Sequence, residues 1–307
     1  MTARYVSPLR YPGGKARMSP WLAQAFDVSG AEVWLEPFGG GAGAALTLLA
    51  AHEVEEAWIV EAHPGLAAFW ADVTREPEAL ARRVEHTTPD LTLFDWARNQ
   101  LATHGDDLAF ATFVINRCSY SGIVNTAVGP IGGRAQAGRH RIDARWNASA
   151  LADRIRAVGA LGDRFRVFAG DGIAFLGDLP SSGVESEVFI FVDPPYWRAS
   201  ADAGERAVPS DNKLYAEGMV PADHWRLADA LHALDGTPWV LTYDAGPEVV
   251  RAYEGDRIRG FEIPHSAASS HVGSEYLVTP HELWTPAGNP LGKGRVWDVF
   301  GRENLAA

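Results

Sequence analysis

The residues best suited to chemistry stand in one short run, Asp193-Pro194-Pro195-Tyr196, directly after the apolar stretch Phe189-Ile190-Phe191-Val192. A carboxylate accepts hydrogen bonds from an amine or hydroxyl, and an aromatic ring stacks on a flat ligand. The four apolar residues read as a strand buried on both faces, and the two prolines end it because neither has an N–H to pair. Acid and ring therefore sit at the carboxyl end of a central strand, where open α/β sheets bind their ligands. A strand ending in a plain Pro-Pro turn would look the same, so the reading depends on a matching ligand site elsewhere in the chain.

That second site is offered by Leu35-Glu36-Pro37-Phe38-Gly39-Gly40-Gly41-Ala42-Gly43 at the first strand-to-helix turn. Glycines there allow backbone amides close to a ligand, and the following helix presents its positive end. Gly39-x-Gly41-x-x-Ala44 fits a dinucleotide fingerprint with Glu61 nearly twenty residues on. Against a nicotinamide cofactor, Glu36 precedes the glycines and would repel a pyrophosphate. A carboxylate there suits a cationic or hydroxyl-bearing ligand, such as the methionine moiety of S-adenosyl-L-methionine. Glu61 ends a second strand, where its carboxylate can take both hydroxyls of a ribose. Asp171 ends another and has two readings, a residue facing the adenine ring or a helix N-cap. Tyr11-Pro12-Gly13-Gly14-Lys15 is a Gly-rich turn carrying a lysine, unspecific when taken alone.

The elements that must position these residues alternate at both ends of the chain. Helix Met18–Phe26, strand Glu32–Leu35, helix Ala44–Ala51, strand Ala57–Glu61 and helix Pro64–Val73 make a β-α-β-α opening, as in a doubly wound sheet. Strands resume at Phe165–Ala169, Val188–Val192 and Trp239–Tyr243, with a helix over Ala222–Leu234 and a closing pair at Ile258–Pro264 and Glu275–Leu283. Between residues 76 and 160 the alternation stops. Helices at Pro77–His86, Phe94–Thr103, Leu108–Asn116 and Ala148–Val158 flank a Gly-rich basic segment expected to form a mobile hairpin or loop. The expected organisation is one α/β domain, 1–75 with 161–307, interrupted by a mainly helical subdomain at 76–160.

Composition narrows the class. The 307 residues can bury a large core, and one cysteine, Cys118, excludes an internal disulfide. The ten histidines show no metal-ligand spacing, so no metal is expected. No signal sequence or membrane-spanning stretch is visible, and a cytoplasmic monomer is expected. The net charge of −12 argues against a general polyanion binder, but it is uneven. Residues 1–20 and 113–147 each carry +4, the latter through Arg117, Arg134, Arg139, Arg141 and Arg145 against Asp143. Such islands suit either a phosphate backbone or salt bridges to the acidic body.

Taken in order, the motifs resemble one family, the Dam-like adenine-specific DNA methyltransferases. The resemblance runs from about Pro8 to Leu283. It rests on Tyr11-Pro-Gly-Gly-Lys15, Glu36-Pro-Phe-Gly-Gly40, Asn116-Arg117-Cys-Ser-Tyr-Ser-Gly122, Gly129-Pro-Ile-Gly-Gly133, Asp143-Ala-Arg-Trp-Asn147, Asp193-Pro-Pro-Tyr196, Asp223-His224 and Thr242-Tyr243-Asp244. Departures are mild: Tyr11 stands where the family often has tryptophan, Glu61 where it has Asp, and His63 where it tends to have Asn or Asp.

The resemblance implies a Rossmann-like fold dependent on S-adenosyl-L-methionine and transfer of a methyl group to the exocyclic amine of adenine in double-stranded DNA. It implies that Asp193, Pro194, Pro195 and Tyr196 form the catalytic motif. Tyr11, Lys15, Glu36, Phe38, Gly39, Gly40, Glu61, Asp171 and Asp193 are then the cofactor-side residues. The 76–160 insertion would recognise DNA, with Asn116, Arg117, Tyr120, Arg134, Arg139 and Arg141 as its candidate contacts. A base inside a duplex cannot reach such a pocket, so flipping is implied as well. A cognate restriction endonuclease is a further partner that the resemblance allows. The alternatives are a DNA-binding relative without catalysis and an amino-methyltransferase acting on RNA.

Overall fold

The computed structural model describes residues 6–184, 187–197, 219–263 and 273–300. In chain order the elements are α1 (Ser19–Ser29), β1 (Val33–Glu36), α2 (Gly43–Ala51), β2 (Glu56–Glu61), α3 (Pro64–Arg75), α4 (Pro77–Glu85), α5 (Leu91–Thr103), α6 (Leu108–Cys118) and α7 (Ala148–Gly159). They continue with β3 (Phe165–Ala169), α8 (Gly172–Ser182), β4 (Val188–Val192), α9 (Pro221–His232), β5 (Trp239–Asp244), α10 (Pro247–Ala252), β6 (Arg257–Ile263), β7 (Gly273–Thr279) and β8 (Val296–Asp298). None of the described helices is long and apolar enough to cross a membrane.

One eight-stranded sheet has the order β3-β2-β1-β4-β5-β7-β6-β8. The first five strands are parallel, whereas β7 inserts antiparallel between β5 and β6. Chain order reverses between β1 and β4, which are hydrogen-bonded neighbours. The crevice outside their carboxyl ends is the switch point where such sheets bind ligands. Every residue of β1 and β4 is buried, as expected where helices cover both faces; β4 is apolar throughout, and β1 is apolar up to Glu36.

The expected strands and helices form with small shifts at their ends. The last residue of the expected strand 258–264 lies outside the described residues. Three further elements have weak local signals. Helix α8 carries Pro180 within it, α10 is only six residues long, and β8 is a three-residue edge strand.

One face of the sheet is covered by α8 to α10, with Leu176, Leu227 and Tyr253 in its core. On the other, helices α4 to α7 share one buried cluster with α1 to α3. Phe69 of α3 stacks on Phe113 of α6 with centroids 5.4 Å apart, and Trp146 meets Phe113 edge-on at 5.3 Å. Residues 76–160 thus share one core with the helices on that face of the sheet. Its Gly-rich segment is a loop closed by a single bridge between Ser119 and Pro130. Ile131 N–H donates to the Cys118 carbonyl at 2.8 Å, and the Gln136 amide donates to Ile131 and Gly133 while accepting from Ile142 N–H.

This shared packing makes a prediction. Phe113→Ala removes a fully buried ring and should cost about 3–5 kcal/mol. In a urea melt the whole chain should unfold earlier in a single transition. Loss of helical signal from the insertion alone, ahead of an unchanged main transition, would contradict a common core.

Candidate active site

At the switch point lies a cavity of about 450 Å³. Ten of the expected residues line it: Tyr11, Lys15, Phe38, Gly40, Glu61, Asp171, Asp193, Pro194, Pro195 and Tyr196. The remaining walls include the apolar Pro37, Leu66, Ile123, Val124, Ile173 and Met219, together with the polar His63 and Asp223. The cavity thus joins apolar walls for flat rings with a few convergent polar groups, as ligand sites do.

The Gly-rich turn is shaped by Tyr11. Gly40 has φ of 46°, and a Cβ there would fall 2.6 Å from the Tyr11 ring. A Cβ on Gly41 would lie equally close to Tyr11 Cβ. Only glycine tolerates this approach together with the left-handed backbone at Gly40. Gly40 N–H donates to Glu61 Oε2 at 2.7 Å, and Trp70 Nε1–H of α3 donates to the Gly40 carbonyl at 2.9 Å. The turn is therefore fastened to β2 and α3 before any ligand arrives.

Glu61 is buried, and its second oxygen accepts His63 N–H at 2.8 Å. Burial pushes its pKa up to about 7, although both N–H donors oppose the rise. Glu36 is equally buried but faces away from this cavity. Its Oε1 accepts from Trp34 Nε1–H at 2.9 Å and from Ala45 N–H at 2.7 Å, which fastens the first turn of α2 to β1. Burial raises Glu36 to about 7 as well. Glu36 and Gly39 line a second cavity of about 890 Å³ behind the turn, whose walls include Arg10, Arg117, Arg145 and Arg154. For Asp171 the N-cap reading holds. It lines the ligand cavity, and its Oδ1 caps α8 by accepting Ile173 N–H at 2.8 Å.

The Asp193-Pro194-Pro195-Tyr196 segment is held by three parts of the chain distant in sequence. Lys15 is buried, and its ammonium donates to Asp193 Oδ1 at 2.8 Å, to the Tyr196 hydroxyl at 2.7 Å and to the Gly13 carbonyl at 3.1 Å. Burial pulls the ammonium's pKa down, but Asp193 and Glu275 outweigh it and leave the lysine above its ordinary value. Thr242 Oγ1–H of β5 also donates to Asp193 Oδ1 at 2.8 Å. Asp193 Oδ2 makes no hydrogen bond among the described residues.

Tyr196 O–H in turn donates to Glu275 Oε1 of β7 at 2.5 Å. Burial, then the nearby carboxylates Asp193 and Glu275, hold that phenol far above its usual range. Behind the motif, Trp197 stacks at 4.8 Å on buried His224, which hydrogen-bonds the Tyr243 hydroxyl at 2.8 Å. Burial depresses His224 to about 4, so it stays neutral and serves packing.

Thr242 and Glu275 were not among the expected site residues. Thr242 belongs to a quoted motif, Thr242-Tyr243-Asp244. Glu275 stands alone on a strand read only as closing the sheet, and no local pattern marks it.

The candidate DNA contacts divide. Tyr120 is 83% exposed at the end of α6. Arg139 and Arg141 are exposed on the Gly-rich loop. Arg134 is also exposed, but it forms a two-pronged pair with Asp95 at 2.7 and 2.9 Å. Arg117 donates to the carbonyls of Arg145 and Pro8, and burial, then the neighbouring Arg10 and Arg154, lowers its pKa to about 10. Asn116 is fully buried and has no surface to offer a strand. Its amide accepts Arg10 N–H at 2.8 Å and donates to the carbonyls of Arg10 and Gly122, tying the N-terminal segment to α6.

Comparison with known proteins follows the same lines. A family model described as D12 class N6 adenine-specific DNA methyltransferase matches residues 11–271. No curated protein sequence matches the chain. Among solved structures, an rRNA methyltransferase from Streptomyces viridochromogenes shares 14% identity over 88% of this chain and 86% of its own, with a TM-score of 0.36. A putative class I S-adenosylmethionine-dependent methyltransferase from Listeria monocytogenes shares 10% over 93% of this chain and 65% of its own, with a TM-score of 0.39. Family membership rests on the sequence match, which spans most of the chain and every motif of the cavity. The chain belongs to the D12 class of N6 adenine-specific DNA methyltransferases.

Proposed function

We propose that the switch-point cavity holds both partners of the methyl transfer, S-adenosyl-L-methionine on the β1–β2 side and a flipped adenine beside Asp193. One observation carries this reading. Glu61 and Asp193, the acids suited to a ribose and to an amine, open into the same cavity, with Phe38 and Ile173 as apolar walls between. The donor set fits the cofactor, because Glu61 can accept hydroxyl hydrogens and the walls suit an adenosine ring. When bound, the cofactor supplies an activated methyl on a sulfonium.

The chain's own residues then do the positioning. The adenine amine is a poor nucleophile, since its lone pair is delocalised into the ring. Asp193 Oδ2 and the Pro194 carbonyl accept its two hydrogens and aim the lone pair at the methyl, while Tyr196 stacks on the base. Lys15 and Thr242 fix Asp193 by occupying its other oxygen. Asp193 need not be a strong base, because the amine becomes acidic only as the new bond forms. Fixed acceptors and near-attack geometry supply the acceleration. The insertion faces the DNA, with Tyr120 beside the displaced strand and Arg139 and Arg141 toward phosphates. The cavity is complete within one chain, which supports a monomer as the working unit.

Three outcomes test this account. Asp193→Ala should lower transfer of labelled methyl to adenine in DNA by about 100-fold or more; transfer at the wild-type rate would refute the assigned role. Glu61 has a raised pKa, so its ionised form prevails only as pH passes about 7. Affinity for S-adenosyl-L-methionine, followed by calorimetry, should therefore rise from pH 6 to pH 8, and Glu61→Gln should remove that component of the rise. Arg139→Ala with Arg141→Ala should raise KM for DNA about tenfold and reduce the salt slope by about two, with kcat retained. Arg134→Ala should do less, because Asp95 already neutralises that charge.

A further inference from the structure

Glu275 lies 79 residues from Tyr196 and on a different strand, yet the two side chains form one of the short hydrogen bonds of the site. It is placed there by topology. Strand β7 runs antiparallel beside β5, and the register sets Glu275 opposite Asp244. Its Oε2 stands 3.8 Å from the Lys15 ammonium, which is already bonded to Asp193 and Tyr196. Asp193, Tyr196 and Glu275 thus surround the desolvated Lys15 ammonium, and Asp244 is near enough to act on it electrostatically.

We propose, resting on the site reading above, that Glu275 is a positioning residue for the transfer reaction, anchoring the Tyr196 hydroxyl and the Lys15 ammonium so that Asp193 and the Tyr196 ring are held for the target amine. Tyr196 O–H is buried and needs an acceptor, and Glu275 supplies it. With its hydroxyl tethered at both ends, by Lys15 as donor and Glu275 as acceptor, the ring has one orientation available for stacking. Lys15 carries one positive charge against several carboxylates. Glu275 takes a share of it, which holds the ammonium between the two acids instead of drawing it fully onto Asp193. Burial raises Glu275 to about 7 while Lys15 opposes the rise, consistent with a carboxylate kept inside by its partners. Glu275 touches neither cofactor nor base in this account and acts through Tyr196 and Lys15.

The test uses the full chain, with S-adenosyl-L-methionine and adenine-containing DNA, comparing wild type, Glu275→Ala, Glu275→Gln, Tyr196→Phe and the double variants. The expected result is a fall in kcat of about 100-fold for Glu275→Ala with KM for the cofactor within about twofold. Glu275→Gln should recover about tenfold of the loss, since its amide oxygen still accepts from Tyr196. The effect should be non-additive with Tyr196→Phe, because both cut the same link. Should Glu275→Ala not fold, Glu275→Gln and its combination with Tyr196→Phe carry the same cycle. A wild-type kcat in Glu275→Ala, losses that simply multiply with Tyr196→Phe, or a Glu275→Gln loss equal to that of alanine and tracking a lowered Tm would each overturn the proposal. Absence of methyl transfer by the wild type would instead tell against the function on which it rests.

Discussion

The site depends on one buried ammonium. Lys15 comes from the segment before α1, Asp193 and Tyr196 follow β4, and Glu275 belongs to β7; the ammonium joins all three. Removing a charge from water costs several kcal/mol unless it is paired and hydrogen-bonded, so Lys15 is stable only when all of its partners are in place. The same requirement draws the N-terminal segment across the sheet. There Tyr11 packs on the Gly-rich turn and Asn116 anchors Arg10 to the insertion. A single electrostatic constraint therefore aligns the Gly-rich turn, the Asp193–Tyr196 segment and the helices of 76–160.

Around it, carboxylates are assigned by their surroundings. Glu36 and Glu61 are both buried, both bonded to backbone N–H groups near the same turn, and both raised to about 7. Only Glu61 reaches the ligand cavity; Glu36 braces β1 against α2. Two acids raised alike thus face different cavities, and geometry alone separates them. The same division holds among the arginines. Arg117 and Arg10 are spent on backbone carbonyls, Arg134 on Asp95, and Arg139 and Arg141 are exposed.

Much of this was legible in the sequence where local pattern and tertiary role coincide. Val188–Val192 is a strand over the very residues expected, because a buried parallel strand writes itself as an apolar run; Phe165–Ala169 also matches, as a half-exposed edge strand in which Arg166 breaks the run. Asp193, Glu61 and Lys15 were legible because each follows a strand or a Gly-rich turn with few other uses for a charge. Helix α8 was hidden by Pro180 and by an N-cap, Asp171, that serves the cavity too. Glu275 was hidden because an acid on a late strand reads as a solvent-facing residue. Only the antiparallel insertion of β7 next to β5 turns it inward. Asn116 shows the converse, a residue of expected ligand contact whose hydrogen bonds are consumed inside the protein.

The most direct measurement is a crystal structure of the chain with S-adenosylhomocysteine. The account predicts the ribose hydroxyls on Glu61, the adenine between Phe38 and Ile173, and the sulfur facing the space beside Asp193 Oδ2, with Lys15 still bonded to Asp193 Oδ1. Cofactor seated instead in the arginine-lined cavity behind the Gly-rich turn, or Asp193 turned away from the sulfur, would contradict it.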